Sequence, residues 1–366
     1  MRIGIIGTRG IPNLYGGFEE CAQQLGLRLV EMGHQVWVYN SHRHPYDQKN
    51  YQGIEIIHKY DPEHRFGTIG QFIYDLNCII DSRKRKFDAI LLLGYTSSSV
   101  WQRLLPKRSL ILCNMDGLEW KRSKYSPRVQ KFLKYAEKWA ARRSDILIAD
   151  SKVIQEYLES QYPNDTVFIP YGADNFKKGN PEILNAYGLD AGDYNLLVAR
   201  LEPENHIEMI LQGVVKSESQ RLMLVVGNHD TAYGEYLKEK FKDARIRFVR
   251  GTYKKDKINN LRYYSHLYFH GHSVGGTNPS LLEAMACGCS IVAHRNRFNY
   301  EVLGENASYF SDHIDVANHL DHMDTEAVFK ERIQENRRRI EERYNWQLIA
   351  EEYEITMQQG LIRKRP

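Results

Sequence analysis

The chain has 366 residues, 42% of them hydrophobic, more than one compact core usually covers, so two domains are expected. Its 50 basic against 46 acidic side chains leave a formal charge of +4, which gives no reason to expect nucleic acid as a partner. Five scattered cysteines (Cys21, Cys78, Cys113, Cys287, Cys289) contain no C-x-x-C pair and read as buried thiols, and no leader-like or membrane-spanning apolar run is present, so a cytosolic protein is expected.

Short aliphatic runs alternate with helical patterns throughout, the pattern of βα units and parallel sheets. In the first half strands are predicted at 3–6, 36–39, 89–93, 110–113, 146–149 and 167–169. In the second half they are predicted at 195–199, 222–226, 246–249, 267–269 and 290–293, with a last short one near 308–310. Pro170-Tyr171-Gly172-Ala173-Asp174 and the polar stretch to Pro181 read as an interdomain connection. The expectation is therefore an α/β chain of two Rossmann-like domains, 1–172 and 173–345, whose parallel sheets face a central cleft. Helical patterns at 329–344 and 346–358 follow, and residues 346–366 form a last helix that packs back towards the first domain.

The first βα junction, Gly7-Thr8-Arg9-Gly10-Ile11-Pro12-Asn13-Leu14-Tyr15-Gly16-Gly17, is glycine-rich but lacks the G-x-G-x-x-G of nicotinamide sites. It is either a ligand loop, through Gly16 and Gly17, or a tight connection. Glu19 and Glu20 in the following first turn complement the helix dipole. Ser126-Pro127 opens a helix through Arg143. At about 100° per residue, Lys131, Lys134, Lys138 and Arg142 make one stripe beside Phe132, Tyr135 and Trp139. That face suits anionic lipid headgroups and a polyprenyl-diphosphate acceptor, or it is a solvated basic face whose aromatics pack on the sheet.

In the second half, Val198-Ala199-Arg200-Leu201-Glu202-Pro203-Glu204-Asn205 puts Arg200 at a strand end, where its guanidinium can hold a diphosphate or pair with Glu202 or Glu204. His270-Gly271-His272-Ser273-Val274-Gly275-Gly276-Thr277-Asn278-Pro279 then leads into a helix with Asn278 as N-cap and Pro279 as its first residue. Free amides at that helix start would receive phosphate, and Glu283, one turn in, can accept from ribose or deoxyribose hydroxyls. His270 and His272 alternate along the strand, so at most one would face the ligand. No carboxylate or histidine spacing forms a metal cage, so neither a metal nor a bound cofactor is expected.

Gly16-Gly17-Phe18-Glu19, Gly33-His34-Gln35-Val36, Pro170-Tyr171-Gly172-Ala173-Asp174 and Glu283-Ala284-Met285-Ala286-Cys287-Gly288 together resemble glycosyltransferase family 4, which has the GT-B fold. The resemblance implies a retaining, metal-independent sugar transferase. Two departures from its pattern are Gly275 for the first acid of the Glu-x7-Glu pair and Asn205 for the usual lysine. Both departures, with Asp116-Gly117-Leu118-Glu119-Trp120-Lys121-Arg122 and 272–280, resemble bacterial polysaccharide rhamnosyltransferases. That likeness implies dTDP-β-L-rhamnose as donor, a lipid-linked saccharide as acceptor and a place on the inner face of the membrane. It implies a donor site of Gly16, Gly17, Arg200, Asn205, Gly251, Tyr253, His272, Gly275, Gly276, Thr277, Asn278 and Glu283. Asp116, Arg200 and Glu283 would be catalytic, with Asp116 either near the sugar or capping the turn at Gly117. Either Lys254, Lys255 or Arg250 would replace the missing lysine's charge, or the donor would be bound more weakly.

Overall fold

The computed structural model describes residues 1–122, 125–252, 254–322 and 324–364. The chain divides into two compact units, one of 1–121, 125–171 and 346–366, the other of 122–124 and 172–345.

In the first unit the chain runs β1 (Arg2–Ile6), α1 (Gly17–Glu31), β2 (Gln35–Ser41), β3 (Asn50–Tyr51), β4 (Ile54–Lys59), α2 (Glu63–Phe66), α3 (Thr68–Arg85), β5 (Ala89–Leu93), β6 (Leu110–Asn114), α4 (Pro127–Arg143), β7 (Ile146–Ala149), α5 (Lys152–Gln161) and β8 (Asp165–Phe168). The sheet order is β3-β4-β2-β1-β5-β6-β7-β8, parallel throughout except for the β3–β4 hairpin. Strands β5, β6 and β7 are buried along their whole length, as uninterrupted aliphatic runs covered on both faces must be. Strand β4 was not anticipated: Ile54, Ile56 and Ile57 are buried, but the exposed Glu55 breaks the run and a polar stretch precedes it. The final strand spans Asp165–Phe168 rather than 167–169, at the sheet edge where no neighbour fixes its end.

In the second unit follow α6 (Glu182–Asn185), β9 (Tyr194–Val198), α7 (Ile207–Lys216), β10 (Leu222–Gly227), α8 (Ala232–Lys240), β11 (Ile246–Arg250), α9 (Lys255–Tyr263), β12 (Tyr268–His270), α10 (Pro279–Cys287), β13 (Ile291–His294), α11 (Arg297–Leu303), β14 (Ser308–Phe310), α12 (His313–Asp321) and α13 (Glu326–Arg339). Its six parallel strands lie in the order β11-β10-β9-β12-β13-β14. Leu197, Met223, Val225, Phe269 and Val292 from the sheet pack against Ile207, Ile210, Leu211 and Val214 of α7 and Val316 of α12.

Helix α14 (Trp346–Lys364) returns to the first unit, against α1 and β6. Gly360 lets it lie close, since a Cβ there would stand 2.7 Å from Leu110 Cδ2 and 2.8 Å from Ile146 Cδ1. His34 Nε2 and Glu354 Oε1 meet at 2.8 Å on the same seam.

Both sheets reverse strand order beside their first strand, between β1 and β5 and between β9 and β12, so the loops leaving those strand ends splay apart and leave room for ligand. At the first such point Gly7 has φ +107°, and a Cβ would sit 2.2 Å from the Leu93 carbonyl oxygen. Gly7→Ala is expected to destabilise the first unit by about 3 kcal/mol, read as a lower urea midpoint for its unfolding transition.

Candidate active site

Arg200 follows the end of β9, and the 271–278 loop follows β12, so the two flank the reversal point of the second sheet. They are tied into one surface by short backbone contacts. Gly271 lies so close to Asn205 that a Cβ would be 2.0 Å from its carbonyl oxygen. Ser273 donates to the Glu204 carbonyl through its amide (3.2 Å) and its Oγ (2.9 Å). His206 Nδ1 reaches the Gly271 carbonyl at 2.8 Å. From the far side, Asn296 and Asn299 each donate to the His272 carbonyl at 3.0 Å.

Arg200 is exposed, and among the described residues its guanidinium has no carboxylate partner, so the pairing with Glu202 or Glu204 is not formed. Asn205 does not present its side chain to a ligand: it is buried, and its Nδ2 donates to the Arg200 carbonyl at 2.8 Å, shaping the turn that carries the arginine. Asn278 caps α10 and Pro279 is its first residue, as expected, but the amides of that first turn are not free. Asn278 Oδ1 accepts from the Ser280 amide (2.9 Å), and the Asn278 carbonyl accepts from Leu281 (3.0 Å) and Leu282 (3.2 Å). The amides open to an anion therefore lie earlier, at Gly275 and Gly276, which have no acceptor among the described residues. Gly275 has φ +125° with open space beyond it, and Thr277 behind it is buried.

The two histidines were expected to alternate, but β12 ends at His270 and the turn at Gly271 brings both rings together, stacked at 4.4 Å and 15°. His206 and His294 form a second stacked pair at 3.9 Å. Burial pushes His272 down to about 3, and the Arg200 charge adds to that shift. Burial likewise holds His270 well below the ordinary imidazole value. These rings are neutral at physiological pH.

Glu283 on α10 is 27% exposed and gives Oε2 to the guanidinium of Arg262, 2.6 Å away. Arg262 was missed in the sequence. The signal was there, since it shares with Ile258 and Leu261 the buried face of α9, where an arginine needs a counter-charge. Gly251 follows β11, its amide donating to the Gly227 carbonyl at 3.0 Å, and Tyr253 lies outside the described residues. Arg250 pairs with Asp230 at 3.0 Å instead of replacing the missing lysine.

Gly16, Gly17 and Asp116 belong to the first unit. Gly16 caps α1 and donates to Asn13 Oδ1 at 3.2 Å, and Gly17 opens the helix. Glu19 is buried, its carboxyl raised by burial, and accepts from the Arg9 amide at 2.8 Å. Asp116 adopts φ 51°, stabilised by its amide's bond to Asn114 Oδ1 (2.9 Å), and its carboxylate accepts no hydrogen bond among the described residues. The turn at Gly117 is thus not what it caps. On α4, Lys131, Lys138 and Arg142 are exposed, but Lys134 folds inward over Trp120 (4.4 Å) and Tyr157 (4.6 Å) and pairs with the buried Glu137 at 3.0 Å. Among the described residues no group of three or more His, Cys, Asp or Glu side chains is placed to hold a metal ion.

Residues 1–174 match the family model described as "Domain of unknown function (DUF1972)", and residues 180–345 match "Glycosyl transferases group 1". No curated protein matches the chain. Among solved structures it resembles sucrose-phosphate synthase of Thermosynechococcus elongatus, at 18% identity and TM-score 0.80 over 99% of both chains. It also resembles HepE of Anabaena in complex with UDP and glucose, at 15% identity and TM-score 0.76 over 98% of this chain and 99% of that one. A third is the trehalose-6-phosphate protein of E. coli bound with UDP-2-fluoro glucose, at 12% identity and TM-score 0.72, with the same coverage. Residues 180–345 therefore carry a glycosyl transferases group 1 domain, and the chain is a glycosyltransferase with the GT-B fold.

Proposed function

We infer that the protein transfers L-rhamnose, with retention, from dTDP-β-L-rhamnose to a lipid-linked saccharide during cell-surface polysaccharide synthesis. The observation that carries the reading is the surface joining the Arg200 guanidinium to the amides of Gly275 and Gly276, none of which has a partner among the described residues. As the glycosidic bond to the donor phosphate breaks, negative charge gathers on the leaving diphosphate. The guanidinium and the preorganised amides then bind the transition state more tightly than the ground state. Glu283 holds the nucleoside sugar ring, and the base lies towards Gly251. Three strand spacings of roughly 4.8 Å separate the β11 and β12 ends, about 14 Å, a length suited to a nucleoside diphosphate. Asp116 has, in this reading, the role of orienting the acceptor hydroxyl or stabilising positive charge at the anomeric carbon.

A second reading, a UDP-hexose donor, is favoured by solved relatives whose complexes contain UDP or UDP-glucose. A thermal-shift panel of nucleotide sugars separates the two: dTDP-rhamnose is expected to raise the Tm most, and a larger rise with UDP-glucose overturns the rhamnose assignment. Arg200→Ala is expected to lower kcat/KM by about 10²–10³, with Arg200→Lys recovering only part because it lacks the fork. An effect below threefold would remove Arg200 from the chemistry.

The membrane contact rests on α4, where exposed Tyr135 and Trp139 lie beside Lys131, Lys138 and Arg142. Among the described residues no helix is long and apolar enough to cross a bilayer, so contact would be peripheral. Replacing Lys131, Lys138 and Arg142 with Ala is expected to abolish most binding to anionic vesicles at low salt. Lys134→Ala should leave vesicle binding intact and lower stability instead, by loosening Glu137; equal loss of binding in both variants would refute this division.

A further inference from the structure

Arg262 is 2% exposed, and both terminal nitrogens of its guanidinium are engaged, while Nε has no hydrogen-bond partner among the described residues. One terminal nitrogen donates to Asn259 Oδ1 (3.1 Å) and meets Glu283 Oε2 (2.6 Å), while the other donates to Ser280 Oγ at 2.9 Å. Ser280 Oγ is itself held by the Tyr268 hydroxyl at 2.8 Å. A guanidinium this deep needs a counter-charge, and Glu283 supplies it from the next helix. Oε2 is therefore turned towards the guanidinium, which takes part of its accepting capacity. Oε1 has no donor among the described residues, and the side chain is 27% exposed.

A carboxylate grips a ribose cis-diol best by using one oxygen for each hydroxyl. Here one oxygen already faces the guanidinium. Resting on the donor-site role of Glu283 given above, we propose that Arg262 makes Glu283 a reader of the 3′-hydroxyl alone, so that the site accepts 2′-deoxyribonucleoside and ribonucleoside diphosphates alike. Discrimination for a hydroxyl arises where its absence strands a buried partner. Loss of the 2′-hydroxyl leaves no stranded group here, because Oε2 keeps its guanidinium. Arg262 acts as a positioning residue: it touches Glu283, not the ligand.

Titration calorimetry with UDP, 2′-deoxy-UDP and 2′,3′-dideoxy-UDP tests this on the full chain. For the unaltered protein, the first two should bind within about threefold of each other and the dideoxy nucleotide at least about tenfold more weakly. Arg262→Met releases Oε2, and the preference for UDP over 2′-deoxy-UDP should then rise about tenfold. Because each ratio is taken within one protein, partial unfolding of the variant does not alter it. Arg262→Lys, which keeps the interior charge but not the fork, should shift the ratio in the same direction and serves if the methionine variant does not fold. A tenfold or greater preference for UDP in the unaltered protein, or an unchanged ratio in both variants, overturns the proposal. Binding of none of the three nucleotides would remove the donor-site reading itself, and this inference with it.

Discussion

The approach of Gly271 to the carbonyl of Asn205 is the constraint on which the second unit's site depends. Any side chain at 271 would drive β12's loop away from the turn after β9, since a Cβ would stand 2.0 Å from that oxygen. Only because this contact is possible can Ser273 bond the Glu204 carbonyl and His206 the Gly271 carbonyl. Those bonds fix the backbone that displays Arg200 on one side and the Gly275–Gly276 amides on the other. Preorganisation of this kind matters because donors already in place cost no reorganisation when charge appears.

The stacked histidines serve the same end by remaining uncharged. His270 has both ring nitrogens buried without a partner, and His272 has its Nδ1 so. Charging either ring would place an imidazolium in the interior beside other positive groups, Arg262 for His270 and Arg200 and Arg122 for His272, and burial, the larger cause, depresses both. Positive potential at this surface then comes from Arg200, Arg122 and oriented amides beside buried, uncharged rings. Low local polarity strengthens the pull of those groups on an anion compared with the same groups in water.

How much of this could be read from the sequence depended on whether a residue's role was set by near neighbours. Buried strands such as Ala89–Leu93 announce themselves because a parallel strand covered on both faces must be apolar at every position. Arg200 was legible for a similar reason: a strand end and a following turn place it without help from afar. Asn205, Lys134 and Arg262 were not legible in role: the first two turn to partners five and three residues away that spacing alone did not single out, and Arg262 pairs with Glu283 on another helix. Asn205 looks like a ligand residue until its amide is seen on the Arg200 carbonyl. Helical spacing put Lys134 on the outer stripe of α4, yet its long stem lets the ammonium swing to Glu137 and two aromatic rings. The stacking of His270 on His272 likewise required knowing that β12 stops one residue before Gly271.

The two units reach a similar arrangement with opposite spare charges. In the first, the loop after β1 is closed by polar pairs: Arg9 with Glu63 at 2.8 Å, the Arg9 amide with Glu19, and Asn40 with both the amide and carbonyl of Ile11. What is left over near its sheet's reversal point is a carboxylate, Asp116, in a left-handed conformation and without a donor. In the second, Arg262 and Glu283 pair at 2.6 Å, and the Arg200 guanidinium has no carboxylate partner among the described residues. In the reading proposed above, Asp116 and Arg200 meet the substrate. The carboxylate suits a hydroxyl or a developing cation, and the guanidinium suits a leaving diphosphate, which are the two opposite charges that separate when a glycosyl phosphate bond breaks.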